Sequence, residues 1–416
     1  MPNRWAVLSL VVVARTAMAF QFQSAAAVGP LLVTDLGLSY TELGTLIGFY
    51  LLPGAILAMP GGLLGARFGD RAVVLTALGL MTLGGAGLVV GPSWPVVAGG
   101  RLVSGAGGVL LNMQLAKIVT DWFAGRELAT ALGFMLAPWP VGIALSLIVL
   151  GTLGAATTWR TAMIVPMVFA AVAFVLMLLF YRELPSGASG PERAPRRWWT
   201  ITGREIVLVL VGGIAWTTLN AGLILLLSFG PKLLVERGLD PARANLVLSW
   251  ASFLSVTTVL GGALLDRVRS RDTVIVTGIT GAAAATSAFA LGGPVALWSA
   301  LVGIFVGPAP GVVALPGEVL APGSRSTGFG LFYAFFYAGM AVAPVAAGYL
   351  VDRGGGVAAL WLSAILWLLT LPALGLFRVF QRRWTVPRGG SQPPSSRAAI
   401  QPFRGSGAVL PRHPPG

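Results

Sequence analysis

Two arginines stand in stretches otherwise too apolar to hold a charge: Arg15, in an apolar run near 5–28, and Arg101, in a run near 95–118. A charged side chain well inside a bilayer costs at least about 2.5–3.5 kcal/mol on insertion scales, so each needs a partner, a watery cavity or a ligand. A guanidinium stays protonated and presents a rigid fork of donors, so its chemistry is to hold an anion, not to relay a proton. At 1.5 Å per residue Arg15 lies roughly 15 Å into its run, close to a bilayer midplane, and Arg101 roughly 9 Å into its own. Depth favours a ligand for Arg15, whereas Arg101 serves either to brace neighbouring carbonyls or to bind. Asn112 falls eleven residues after Arg101, which returns to the same helical face. Further along, Trp216 and Asn220 interrupt an aliphatic run together with Thr217 and Thr218, and Tyr333 and Tyr337 lie one turn apart. The candidate substrate-binding set is therefore Arg15, Arg101, Asn112, Trp216, Asn220, Tyr333 and Tyr337. For the aromatic members, core packing is the favoured role over binding. Gln21 and Gln23 lie off the Arg15 face.

The acidic residues sharpen this reading. All fourteen Asp and Glu lie in loops or near helix ends, the deepest being Glu318. A cationic ligand finds no counter-charge at mid-span, whereas a small anion meets Arg15. No carboxylate sits where a membrane proton carrier would need one. There is no cysteine, and the only histidine, His413, lies in a polar tail. Thiolate metal sites, disulfides and Ser/His chemistry are thereby excluded. With no nucleophile, metal set or phosphate loop in view, neither an enzyme nor a bound cofactor is expected.

The elements that must position these residues are membrane helices. Of 416 residues 56% are hydrophobic and 10% charged, where a soluble globular protein carries roughly 25% charged. Apolar runs of spanning length fall near 5–28, 41–64, 72–91, 95–118, 128–152 and 160–181, then near 205–229, 244–265, 273–291, 294–315, 326–350 and 355–379. This predicts an all-α protein with six helices in 1–181, a polar linker at 182–204, six helices in 205–379 and a disordered basic tail at 380–416. The net charge of +14 does not point to nucleic acid. The loops expected on one side hold Arg160, Lys232, Arg237, Arg243 and Arg353, and apart from Arg15 and Arg101 every other Lys and Arg falls on the side of the termini. By the positive-inside rule both termini are cytoplasmic, in a multi-pass protein of the cell's inner (plasma) membrane whose first apolar run is a retained span. The partners expected are the lipid bilayer and a small, anionic solute, with no obligate protein partner. Pro308, Pro310 and Pro316 predict a break in the tenth span.

The chain is internally duplicated. Gly61, Gly62, Leu64, Arg67 and Arg71 return as Gly261, Gly262, Leu264, Arg267 and Arg271, and the pattern Gly-x-x-x-Ala-Pro-x-x-x-Gly at 133–142 returns at 339–348. The stretch from Gly62 to Arg71 resembles the loop between the second and third helices of the major facilitator superfamily of secondary transporters. It departs from that family's pattern at Ala66 and Asp70, while the second copy keeps Asp266 with Arg267. Arg101 with Gly105, Gly107 and Gly108 resembles the family's fourth-helix pattern. Asp121, Trp122, Phe123 and Arg126, followed by Gly133, Ala137, Pro138 and Gly142, resemble its next loop and fifth helix, and Trp159–Arg160 its following Trp-Arg pair. The start of the chain, with Arg15, Ala27, Gly29, Pro30, Leu31 and Leu32, is similar to cyanate and nitroimidazole porters, and the general layout to oxalate and formate exchangers.

This resemblance implies twelve transmembrane helices in two pseudo-symmetric six-helix halves, with spans 1, 4, 7 and 10 lining a central cavity that Arg15 and Arg101 would face. It also implies gating roles for Gly62, Arg67, Arg71, Asp266, Arg267, Pro138 and Pro344. The expected function is secondary transport of a small organic or inorganic anion by alternating access. The rival readings are efflux of amphipathic drug-like compounds, and a membrane sensor or scaffold without transport.

Overall fold

The computed structural model describes residues 3–384 except 60, 125–126, 184–200, 260, 262–264, 266–267, 269 and 322. The linker and basic tail expected at 182–204 and 380–416 fall largely outside that set. Eleven helices among the described residues are long and apolar enough to cross a membrane. In chain order the bundle consists of α1 (Arg4–Ala27), α2 (Tyr40–Leu57), α3 (Asp70–Val90), α4 (Trp94–Trp122), α5 (Thr130–Ala156), α6 (Trp159–Phe180), α7 (Gly203–Glu236), α8 (Pro241–Leu254), α9 (Arg271–Leu291), α10 (Val295–Val319), α11 (Arg325–Gly354) and α12 (Gly356–Trp384). Short helices Gly29–Leu36 and Gly61–Phe68 flank α2.

The ends of these helices follow their sequence signals. Asn3 caps α1, Asp240 caps α8 just before Pro241, and Ser39 with Glu42 and Thr202 with Glu205 form capping boxes on α2 and α7. Each cap satisfies amide donors that a helix N-terminus leaves orphaned.

α8 differs from expectation. The helix predicted over 244–265 runs unbroken from Pro241 to Leu254 and resumes at 257–259 after a turn, and several residues beyond that lie outside the described set. Hydroxyls compete for its last carbonyls: Ser255 Oγ donates to Ser252 O, and the backbone then turns through Ser255 and Val256. α10 breaks where the prolines predicted, with turns at Val306–Ala309 and Ala314 separating helical pieces.

Within the first half α3 packs along α4 and α6, and α1 along α5 and α6; in the second, α7 and α9 pack along α12. The halves meet along two seams, α2 against α11 and α5 against α8. Glycines let backbones touch at the first. A Cβ on Gly44 would lie 2.1 Å from Pro344 O, on Gly48 2.1 Å from Ala341 O, and on Gly348 2.0 Å from Tyr40 O. Lipid provides no hydrophobic drive between helices, so such close approach is how they associate.

Candidate functional site

Arg15, eleven residues into α1, is 8% exposed and faces the space between the halves. Its Nη1 donates to Asn112 Oδ1 of α4 at 2.5 Å, and Asn112 Nδ2 donates across to the hydroxyl of Tyr337 on α11 at 3.2 Å. One chain of hydrogen bonds thus runs from the first half to the second. The hydroxyls of Tyr333 and Tyr337 lie within electrostatic range of the guanidinium. Among the described residues no carboxylate pairs with Arg15, and its buried Nε has no partner. A buried cation with only a neutral amide for company leaves a side of its fork free for an anion.

The second half contributes aromatic rings. Tyr337 packs on Gly54 of α2, where a Cβ would lie 2.3 Å from the ring. Its centroid is 6.5 Å from Tyr333 and 5.2 Å from Phe336, and Phe336 lies 6.0 Å from Trp216 of α7. Asn220 Nδ2 donates at 2.8 Å to Trp216 O, one turn back on its own helix. The structure therefore brings Arg15, Asn112, Tyr333 and Tyr337 together, with Trp216 joined to them through Phe336.

Arg101 stands apart from this cluster. It is fully buried and donates from Nε to Leu46 O at 3.0 Å, from Nη1 to Gln21 O at 2.8 Å and from Nη2 to Phe22 O. Its guanidinium lies over the Tyr50 ring, 4.5 Å from the centroid. The sequence allowed Arg101 to bind substrate or to brace helices; here its fork ties α4 to α1 and α2. The turn at Tyr50–Leu51 that interrupts α2 leaves carbonyls short of amide partners, and Arg101 supplies a donor there. Arg101→Met is expected to lower stability by at least about 1.5–3 kcal/mol, the worth of a charged hydrogen bond. Thermal melts would register the loss, while ligand affinity of the folded fraction stays unchanged.

The gating candidates divide. Arg71 donates from Nη2 to Leu178 O at 2.6 Å, and its amide to Glu183, tying the start of α3 to the end of α6. Arg67 is exposed, its guanidinium 5.4 Å from the Phe68 ring centroid, and Gly62 lies within the helix Gly61–Phe68. Asp266 and Arg267 lie outside the described residues. Pro138 follows the turn at Ala137 that interrupts α5, and Pro344 offers its carbonyl to the Gly44 contact.

The sequence reading missed the lock at the end of the bundle away from the termini. Asp352 of α11 accepts from Tyr40 N at 2.7 Å, Thr41 N at 2.9 Å and Thr41 Oγ1 at 2.6 Å, so a carboxylate of one half caps a helix of the other. Lys232 Nζ lies 4.9 Å from the Tyr40 ring centroid in the same place. At the second seam, Asn245 Nδ2 donates to Ala27 O and Ser252 Oγ to Pro140 O. The spacing Gly44-x-x-x-Gly48 was the available signal for the seam; nothing local marks Asp352.

The sequence profile of the Major Facilitator Superfamily matches residues 11–307 and 213–413. A 3-(3-hydroxy-phenyl)propionate transporter of Escherichia coli is 25% identical over 80% of this chain and 82% of its own length. A hexuronate transporter of Bacillus subtilis is 25% identical over 58% of this chain and 59% of its own. The fold is similar to the crystal structure of a bacterial homologue of the human lysosomal transporter Spinster, in an inward-facing and occupied conformation, with a TM-score of 0.71 and 15% identity over 92% of this chain and 97% of that one.

Proposed function

The chain belongs to the Major Facilitator Superfamily, and from that premise we propose that this secondary transporter carries a small organic carboxylate gripped by Arg15. The observation that carries the reading is Arg15 itself: a buried guanidinium that, among the described residues, has no carboxylate partner, one neutral hydrogen bond and an unpartnered Nε. Such a fork suits a planar, two-oxygen anion better than a spherical one. Both named relatives carry carboxylates, which supports the same class. Efflux of neutral amphipathic compounds leaves the charge of Arg15 without a use.

In this reading Asn112 holds the fork in place while the site is empty and yields Nη1 when the substrate arrives. The Asn112–Tyr337 bond then reports occupancy from one half to the other. Alternating access proceeds by rocking of the halves about this site. The distribution of Lys and Arg supports cytoplasmic termini in a multi-pass protein of the cell's inner (plasma) membrane, and on that reading the end locked by Asp352 is the outer end. Gating roles for Gly62, Arg67, Arg71, Asp266, Arg267, Pro138 and Pro344 belong to the same proposal.

Two experiments test it. Purified protein screened by thermal shift should be stabilised by small organic carboxylates and not by their amides; stabilisation by amides alone would favour the efflux reading. For orientation, a cysteine introduced at Ser93, in the loop before α4, is expected to react with an impermeant maleimide from outside the cell, and one at Ser395 only after permeabilisation. The reverse pattern would invert the topology.

A further inference from the structure

The carboxylate reading leaves open what body the acid group is attached to, and the substrates in the two relatives' names differ there: one is aromatic, the other a sugar acid. Resting on that reading, we infer that this chain selects an aromatic carboxylate, with Trp216, Phe336 and Tyr333 as the specificity-determining contacts.

The wall facing Arg15 is built of rings. Besides the Tyr337, Phe336 and Trp216 contacts, Tyr333 lies 6.3 Å from Phe336 in an edge-on arrangement and 6.5 Å from Phe329 in a stacked one. Tyr333, Phe336 and Trp216 are each only partly buried, so their rings retain surface that another ring can cover. Offset and edge-on pairings at these separations are the favourable ones for aromatic groups. A planar ring tethered to a carboxylate on Arg15 extends this array without leaving polar groups dry.

A hexuronate would make opposite demands. Each of its hydroxyls needs a hydrogen-bond partner once removed from water. The polar groups that α7 offers are mostly committed elsewhere. Asn220 Nδ2 is bonded to Trp216 O, and the Thr218 hydroxyl lies 2.9 Å from Ile214 O and 2.9 Å from Thr370 Oγ1. Besides Ser228 Oγ, about three turns further along the helix, two buried polar atoms of α7 are without partners among the described residues, Trp216 Nε1 and Thr217 Oγ1. They suffice for one ring hydroxyl and not for a polyol.

The test measures binding of 3-phenylpropionate, D-glucuronate and 3-phenylpropionamide to the purified full-length chain by calorimetry, with melting followed in parallel. The expected result is 3-phenylpropionate binding at least about tenfold tighter than glucuronate. Phe336→Leu and Trp216→Leu should each weaken it by about three- to tenfold, the scale of one aromatic pairing, while Trp216→Phe retains most of the affinity. A melting temperature held within a few degrees separates loss of contact from loss of fold; should a Leu variant not fold, the ratio of the two acids on the parent chain still decides. Glucuronate preferred over phenylpropionate, and lost in Arg15→Ala, would overturn the aromatic inference and leave the carboxylate site standing. Amide binding equal to the acid would overturn both, and so would failure of both acids to bind.

Discussion

Arg15→Ala is expected to weaken binding of a carboxylate probe by about one to two decades without unfolding the protein. A charge-assisted hydrogen bond is worth about 1.5–3 kcal/mol, which converts at 1.4 kcal/mol per decade. The fold should survive because Arg15 makes one side-chain hydrogen bond, to Asn112, and leaves Nε unused. Arg15→Lys keeps the charge and loses the planar fork. It should recover part of the affinity for a monodentate anion and little for a carboxylate held through two oxygens. Titration of both variants beside their thermal melts checks this. Unchanged affinity in a folded Arg15→Ala protein would remove the anion site; a collapsed melting temperature with unchanged affinity would make Arg15 a brace of the kind Arg101 is.

Gly48→Leu is expected to prevent the end locked by Asp352 from closing and to cut flux by at least about tenfold. The Cβ alone would lie 2.1 Å from Ala341 O, a backbone atom that no rotamer change can move. Overpacking of this kind costs about 1–3 kcal/mol or more, enough to shift a two-state equilibrium by roughly one to two decades. Spin labels on Thr34→Cys and Arg243→Cys, exposed at the end of each half away from the termini, should report a longer distance in the variant. Asp352→Asn should move it in the same direction by less, since a neutral amide oxygen replaces a carboxylate accepting three hydrogen bonds. A distance distribution identical to that of the parent would refute the seam as the gate.

Much of the fold was legible because its signals are local. Run length and the prolines of α10 each act within one segment, and each appears in the structure close to where the sequence put it. The turn that interrupts α8 at Ser255 and Val256 was not legible, because hydropathy counts apolar residues and is blind to serine hydroxyls that compete for carbonyls. The site was legible in part for the same reason. A charge in apolar surroundings marks itself, as Arg15 and Arg101 do, and Tyr333 and Tyr337 follow from one-turn spacing. What separates the two arginines is not in their own segments: Arg101 is consumed by carbonyls at Leu46, Gln21 and Phe22, far along the chain. Asp352 escaped notice because its donors, Tyr40 and Thr41, are more than three hundred positions away.

The solitary state of Arg15 has an electrical corollary. On the proposed carboxylate reading, each half-cycle of the empty carrier swings an uncompensated positive charge between inward and outward exposure. When a monoanion occupies it, the pair sums to zero. Moving one elementary charge through the full membrane field is worth about 2.3 kcal/mol per 100 mV, so voltage acts on the return of the unloaded carrier and is nearly silent on the loaded step. A negative interior holds the empty guanidinium facing inward, ready to take on a cytoplasmic acid. Uptake in energised cells would therefore be slowed at the return stroke, and exchange of one anion for another would be almost indifferent to the membrane potential.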